Sequence, residues 1–327
     1  MRKLCCALWV AALLCLSAGC GASQSRVAAP PPPKPPQQAW SWVPANATTV
    51  GRIGLTELRK TKLWPLWTQL QGDQKLASWV ALDKIERVTF GGTGQSESEL
   101  SYVAALEGEF AIEELPMLAE RDQLKVERRG LLRVYQRPEG YWTQINDKLI
   151  VMCTADRIDE LVARASAGEG VPVRESALYK SLAERVEIGK AHVVLLAEDP
   201  EGTGRARIDA QLSRFGMSAL AREANRVGVS LEIGADFRVV AVAETADEEH
   251  AQVLQDELKK SLDAVASNLF VRMLGVSSLI GQLRVSHETS HVFLRGNVSV
   301  LDFNTVIERV ESALSLAAGA GSLIGVQ

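Results

Sequence analysis

The sequence predicts an α+β fold, built as two related modules of mainly antiparallel sheet with helices packed on one face. Three observations carry that reading. Apolar and polar residues alternate in short runs, such as Ser101–Leu106 and Tyr141–Ile145, and turn residues separate the runs, as Pro138-Glu139-Gly140 and Asn146-Asp147 do. That pattern belongs to hairpins with one face buried. A unit of strand, turn, strand, polar cap and amphipathic helix then recurs three times. Finally, 327 residues at 46% hydrophobic content can bury two modest cores.

The chain opens on Arg2 and Lys3, and Leu4 to Ala18 then carry no charge. As a helix that run falls short of the ~20 residues a bilayer span needs. A charged start, a short apolar run and small residues at its end describe a secretory signal peptide over residues 1–19. The run closes as Leu16-Ser17-Ala18-Gly19-Cys20. Through Ala18, Gly19 and Cys20 it resembles the lipobox of bacterial lipoproteins; Ser17 stands where that family usually has Leu, with Leu16 one place early. The resemblance covers the leader alone and implies no body fold. It implies that Cys20 becomes the lipid-carrying first residue of the mature chain, bearing acyl chains such as palmitate. One acyl chain anchors marginally and several anchor durably. The membrane is therefore an expected partner, in the bacterial cell envelope, and Gly21 in place of Asp after Cys20 implies outer-membrane sorting.

Residues 20–45 read as a lipid-anchored linker with Pro30-Pro31-Pro32-Pro33-Lys34-Pro35-Pro36 at its centre. Proline fixes φ and lacks an N–H, so this piece predicts a polyproline II spacer reaching roughly 50 Å. A ligand for a proline-recognition domain is the other reading, and a spacer behind a lipobox is the stronger one.

The first module is placed at residues 46–170. Thr48–Leu55 reads as a strand, with Thr56 as cap of the turn that follows. Pro65 suits a helix start, with Leu66, Trp67, Leu70 and Leu76 on one face; Trp64, Trp67 and Trp79 at that spacing are core rather than a sugar-stacking set. Ile85–Gly91 and Ser101–Leu106 are strands, joined by a polar turn over Gly92–Glu99 whose Gly92-Thr93-Gly94 lacks the following Lys of a phosphate loop. Ile112–Arg121 reads as a helix, and Leu131–Gln136, Tyr141–Ile145 and Leu149–Thr154 as strands.

The second module is placed at residues 171–327, beyond Gly168-Glu169-Gly170. Ala177–Val186 is a short helix and His192–Ala197 a strand, with His192 structural. Asp199–Arg207 is a charged loop and Ile208–Asn225 a helix. The recurring unit runs through both modules. Ile145–Cys153 leads to Thr154-Ala155-Asp156 and a helix burying Ile158, Leu161 and Val162. Ile233–Ala243 leads to Thr245-Ala246-Asp247 and a helix with Ala251, Leu254, Leu258 and Leu262 on one face. Val292–Val300 leads to Asp302 and a helix of Val306, Val310 and Leu314. Thr or Asp at each cap satisfies free helix N–H groups. Phe270–Leu283 is apolar, with Gly275 and Gly281 weakening its helix.

Composition excludes several classes. Lys and Arg total 36 against 40 Asp and Glu, a net charge of −4. No basic run tracks a phosphate backbone, so nucleic acid is not an expected partner. Four of the five cysteines, Cys5, Cys6, Cys15 and Cys20, lie in the leader, which leaves Cys153 without an intrachain disulfide partner. Cys153 ends an apolar strand, where burial raises a thiol pKa, and reads as a small hydrophobe rather than a nucleophile.

One stretch carries sharp chemistry. His287-Glu288-Thr289-Ser290-His291 fits the letters of H-E-x-x-H, the zinc-peptidase motif. On a helix, residues i and i+4 place both imidazoles on one metal while Glu288 serves as base. Glu311 stands where the gluzincin family of metallopeptidases places its third ligand. The opposing reading is a hairpin, because Leu283–Ser286 and Val292–Gly296 read as strands around a polar turn. The hairpin is preferred, and with it no catalytic residue and no cofactor. The expected function is a non-enzymatic binding or structural module with an envelope protein as partner. A zinc metallopeptidase using His287, Glu288, His291 and Glu311, or a carrier of a hydrophobic ligand under a half-covered sheet, are the alternatives.

Overall fold

The computed structural model describes residues 34–62, 64–65, 82–94, 100–168, 170–199, 218–309 and 312. The signal peptide at 1–19, Cys20, most of the linker, Trp67 and Trp79, the expected helix faces at 66–76 and 208–217, and Glu311 lie outside these residues.

Among the described residues, twelve strands form one antiparallel sheet. In chain order they are β1 (Thr49–Gly54), β2 (Ile85–Thr93), β3 (Ser101–Gly108), β4 (Lys125–Arg129), β5 (Leu132–Arg137), β6 (Gly140–Asn146), β7 (Leu149–Cys153), β8 (Val193–Glu198), β9 (Arg226–Ile233), β10 (Asp236–Glu244), β11 (Leu283–Glu288) and β12 (His291–Ser299). Their spatial order is β11-β12-β10-β9-β8-β1-β2-β3-β7-β6-β5-β4. The α+β class with antiparallel pairing is thus the observed architecture. The strands of the two expected modules do not form separate sheets. β1 pairs with β2 on one side and with β8 on the other, Val50 facing Gly91 and Leu196.

Helices surround the sheet: α1 (Leu55–Leu58), α2 (Glu114–Arg121), α3 (Ile158–Ser166), α4 (Ala177–Leu182), α5 (Ser218–Glu223), α6 (Glu248–Ser267), α7 (Leu269–Met273) and α8 (Val276–Ile280), with residues 300–309 also helical. Directly paired residues share a face and successive residues alternate. The registers therefore put Val50, Val103, Cys153, Leu196, Val242 and Phe293 on one face, here face A. Ile158, Leu161 and Ala165 of α3 pack on that face against Val103, Val151 and Cys153, and Leu178 and Leu182 of α4 pack on it against Val194, Val240 and Phe293. On the opposite face B, Leu115 and Ala119 of α2 cover Leu106, Ile150 and Met152, while Ala251 and Leu254 of α6 cover Ala243 and Val292.

The expectation of helices on one face is corrected by this packing. All five residues of β7 are buried, which only a sheet covered on both sides allows. The three strand-turn-strand-helix units are present as β6-β7-α3, β9-β10-α6 and β11-β12 with residues 300–309. Yet α3 lies on face A and α6 on face B. The capping chemistry varies too. Asp247 accepts from the His250 N–H at 3.0 Å and Ser299 from the Leu301 N–H at 3.2 Å, whereas Thr154 Oγ1 turns to the Tyr102 N–H at 3.1 Å.

The packed body starts before the expected boundary at residue 46. Trp42 is 3% exposed and its indole N–H donates to the Pro36 carbonyl at 3.2 Å. Val43 and Ala47 join the core beside Val50. Apolar weight explains this: burying an aromatic and two aliphatic side chains overrides the linker character of the prolines just before them.

Candidate functional site

The His287–His291 stretch is a hairpin. Leu283–Glu288 and His291–Ser299 are antiparallel strands, and Thr289 takes the positive φ of 51° that a tight two-residue turn requires. In this register His287 faces Val292 on face B, whereas His291 faces Glu288 and Glu244 on face A. The imidazoles point away from each other through the sheet, so the helical metal geometry of the metallopeptidase alternative does not form. Each ring has its own setting. His287 Nδ1 lies 2.8 Å from Gln255 Oε1 of α6. His291 is 8% exposed, and its Nε2 has no hydrogen-bond partner among the described residues. Burial, and then the nearby Arg185 charge, push its pKa down. Among the described residues no group of three or more His, Cys, Asp or Glu is placed to hold a metal ion.

Face A carries a polar rung beside His291. Glu198, Arg226, Glu244, His291 and Glu288 are successive cross-strand partners. Arg226 Nε donates to Glu198 at 2.9 Å and Arg226 Nη1 to Glu244 at 3.1 Å, and Ser181 Oγ of α4 donates to Glu244 at 2.5 Å. Burial pushes the Glu244 carboxyl up, but the Ser181 and Arg226 hydrogen bonds and the Arg226 charge outweigh it and hold the pKa below the usual range. The rung ties α4 to β8, β9 and β10, and its Glu198 and Glu244 carboxylates are already engaged, so it reads as a structural clasp.

Two other residues are structural, as the sequence expects. His192 Nδ1 accepts the Ile233 N–H at 2.9 Å, stitching β8 to β9. Cys153 is 2% exposed and burial pushes its thiol up to about 12, so no thiolate forms at neutral pH.

The feature that differs from the rest of the sheet is the middle of face B. There β1, β8 and β9 present Thr49, Gly51 and Ile53, then Val193, Leu195 and Ala197, then Val227, Val229 and Leu231. None is charged. Leu195 and Val229, each 42% exposed, stand among them, while Met152, in the same cross-sheet row on β7, is buried. Flanking walls come from α1 and α2 on one side and α6 on the other. Helical residues 300–309 approach one end, where Phe303 meets Phe237 edge-on at 4.7 Å and Glu308 pairs with Lys62. At the β2 rim the Phe90 ring lies across Gly51, where a Cβ would come within 2.3 Å of Cζ. The result is an apolar trough.

The trough was not legible in the sequence. Val193-Val194-Leu195-Leu196-Ala197 is continuously apolar, which predicts cover on both faces. Among the described residues, α2 and α6 lie toward opposite ends of that face, which leaves its middle between them.

No family model and no curated protein matches the chain. Solved structures of TP0453 share its fold. Crystal form I of TP0453 superposes with a TM-score of 0.52 at 9% identity, covering 83% of this chain and 97% of that chain. Crystal form III gives 0.50 at 10% identity with the same coverage. The likeness is one of fold. Among the described residues no helix is long and apolar enough to cross a membrane.

Proposed function

We propose that the protein is a lipid-anchored, non-enzymatic binding module of the bacterial envelope whose trough receives an apolar ligand of the acyl-chain class. The observation that carries the ligand class is the exposure of Leu195 and Val229 within three strands that bear no charge on that face. A ligand with unpaired polar groups loses free energy on such a surface, and a hydrocarbon gains it. Anchoring rests on Ala18-Gly19-Cys20 and the proline spacer behind it. The acyl-chain reading is tested by native mass spectrometry and titration with a fluorescent fatty acid. Wild-type protein is expected to carry acyl adducts and bind the probe saturably. A Leu195→Glu, Val229→Glu double variant, folded by circular dichroism, is expected to do neither. No adduct and no saturable binding in wild type sinks the reading. Membrane fractionation tests the anchor and its outer-membrane location: Cys20→Ser should move to the soluble fraction, and equal soluble recovery of both forms refutes it.

A further inference from the structure

Face A holds a second, chemically opposite feature at the centre of the sheet. The Arg52 side chain of β1 is partly buried and makes no hydrogen bond or ion pair with any described residue; its guanidinium lies over the Trp40 ring, Cζ 5.0 Å from the ring centre. Thr89 is its direct partner on β2 and shares that face. Thr89 is fully buried, and its hydroxyl has no hydrogen-bond partner among the described residues. Ser41, in the segment lying over β2 and β3, is equally buried and its hydroxyl equally unpartnered. A second guanidinium, Arg87, faces Gly54 on the same side, two pairs along from Arg52. The nearby carboxylate, Glu107, is engaged by Arg87 at 3.4 Å.

Arg87 thus takes the one nearby carboxylate and leaves Arg52 without an ion pair, while the Thr89 hydroxyl next to it and the Ser41 hydroxyl over β2 and β3 have no hydrogen-bond partner among the described residues. Groups in that state cost free energy unless something satisfies them. Burial, and then the like charge of Arg87, lower the Arg52 pKa, and the pull of Glu107 offsets them only in part. A tetrahedral oxyanion meets every demand at once, because a guanidinium fork and hydroxyl donors approach it from different sides. We propose that Arg52 and Thr89, with Ser41 and Arg87 beside them and Trp40 packed on the arginine, form a binding site for a phosphate group. The site lies on the opposite face from the apolar trough and does not depend on it.

The test is thermal unfolding of the full folded chain against inorganic phosphate, with chloride at matched ionic strength as control. Phosphate is expected to raise the melting temperature saturably in wild type. Arg52→Gln should abolish that rise while being at least as stable in phosphate-free buffer, since it removes an uncompensated cation. Thr89→Val should keep the fold and weaken phosphate roughly tenfold. A parallel arm uses micelles doped with phosphatidic acid. Stabilisation by inorganic phosphate assigns the group to a free anion, and stabilisation by the micelles alone assigns it to a lipid headgroup; each must vanish in Arg52→Gln. Equal responses of wild type and Arg52→Gln, or no response in either arm, overturn the proposal.

Discussion

His291 shows how much one imidazole can depend on which side of a strand it occupies. Its ring is desolvated among Glu244, Glu288 and Arg185, with Nε2 unpartnered. Because burial depresses its pKa, the unfolded chain binds a proton before the folded one does. The stability it permits is complete above the ordinary histidine value of about 6.5 and is lost as pH falls below it. Urea unfolding between about pH 5 and 8 should therefore show wild type weakening toward acid, and His291→Leu should flatten that part of the curve while matching or exceeding wild type at neutral pH. An unchanged slope in the variant would place the acid sensitivity elsewhere. The sequence letters at this site pointed two ways, to a metal helix and to a hairpin. The apolar Val285, Val292 and Phe293 decided it, because only a period of two buries Val292 and Phe293 on opposite faces, each at 2% exposure.

At the scale of elements, α4 and α6 are each held by an apolar stripe and a side-chain cap. Leu254 is fully buried under α6, and Leu254→Ala should cost about 2–5 kcal/mol in a denaturant titration. Ser176 caps α4 by accepting the Tyr179 N–H at 3.1 Å, so Ser176→Ala should cost about 1 kcal/mol. A loss from the cap as large as that from the leucine would mean α4 depends on capping more than on packing. Strands with alternation or a short apolar run bounded by turns were legible: Ile85–Gly91, Ser101–Leu106 and Leu149–Thr154 fall within a residue or two of β2, β3 and β7. β4 was not, because Lys125-Val126-Glu127-Arg128-Arg129 carries charge at four of five positions. Such a composition reads as loop, yet it suits the sheet margin, where charge discourages pairing with another chain. Gly275, at φ 80°, splits the apolar run after α6 into α7 and α8, the weakening its glycine implied.

At the scale of the whole molecule, local patterning predicted hairpins and helices but not their assembly. Alternation says that a strand has a buried face. It does not say which helix covers that face, or whether two hairpin sets share one sheet. That information sits in the β1–β8 register, which no short window of sequence contains. The trough and the phosphate site, on opposite faces of β1 and its neighbours, were illegible for the same reason. The two should also be separable: Arg52→Gln is expected to leave fatty-acid binding unchanged, and Leu195→Glu, Val229→Glu to leave the phosphate-dependent melting shift intact. Crossed effects in either direction would mean that the faces communicate.

The first strand made is the one laid down in the middle. Synthesis releases Thr49–Gly54 ahead of every other described strand, and Ile85–Thr93 can zip onto one margin soon after. The other margin waits for Val193–Glu198, with most of the amino-terminal half already emerged. Throughout that interval a strand margin with free N–H and C=O groups is open to any passing strand. Chains stalled before residue 193 should consequently be the aggregation-prone species during production of this protein, and a holdase that masks the first strand should raise the yield of full-length material.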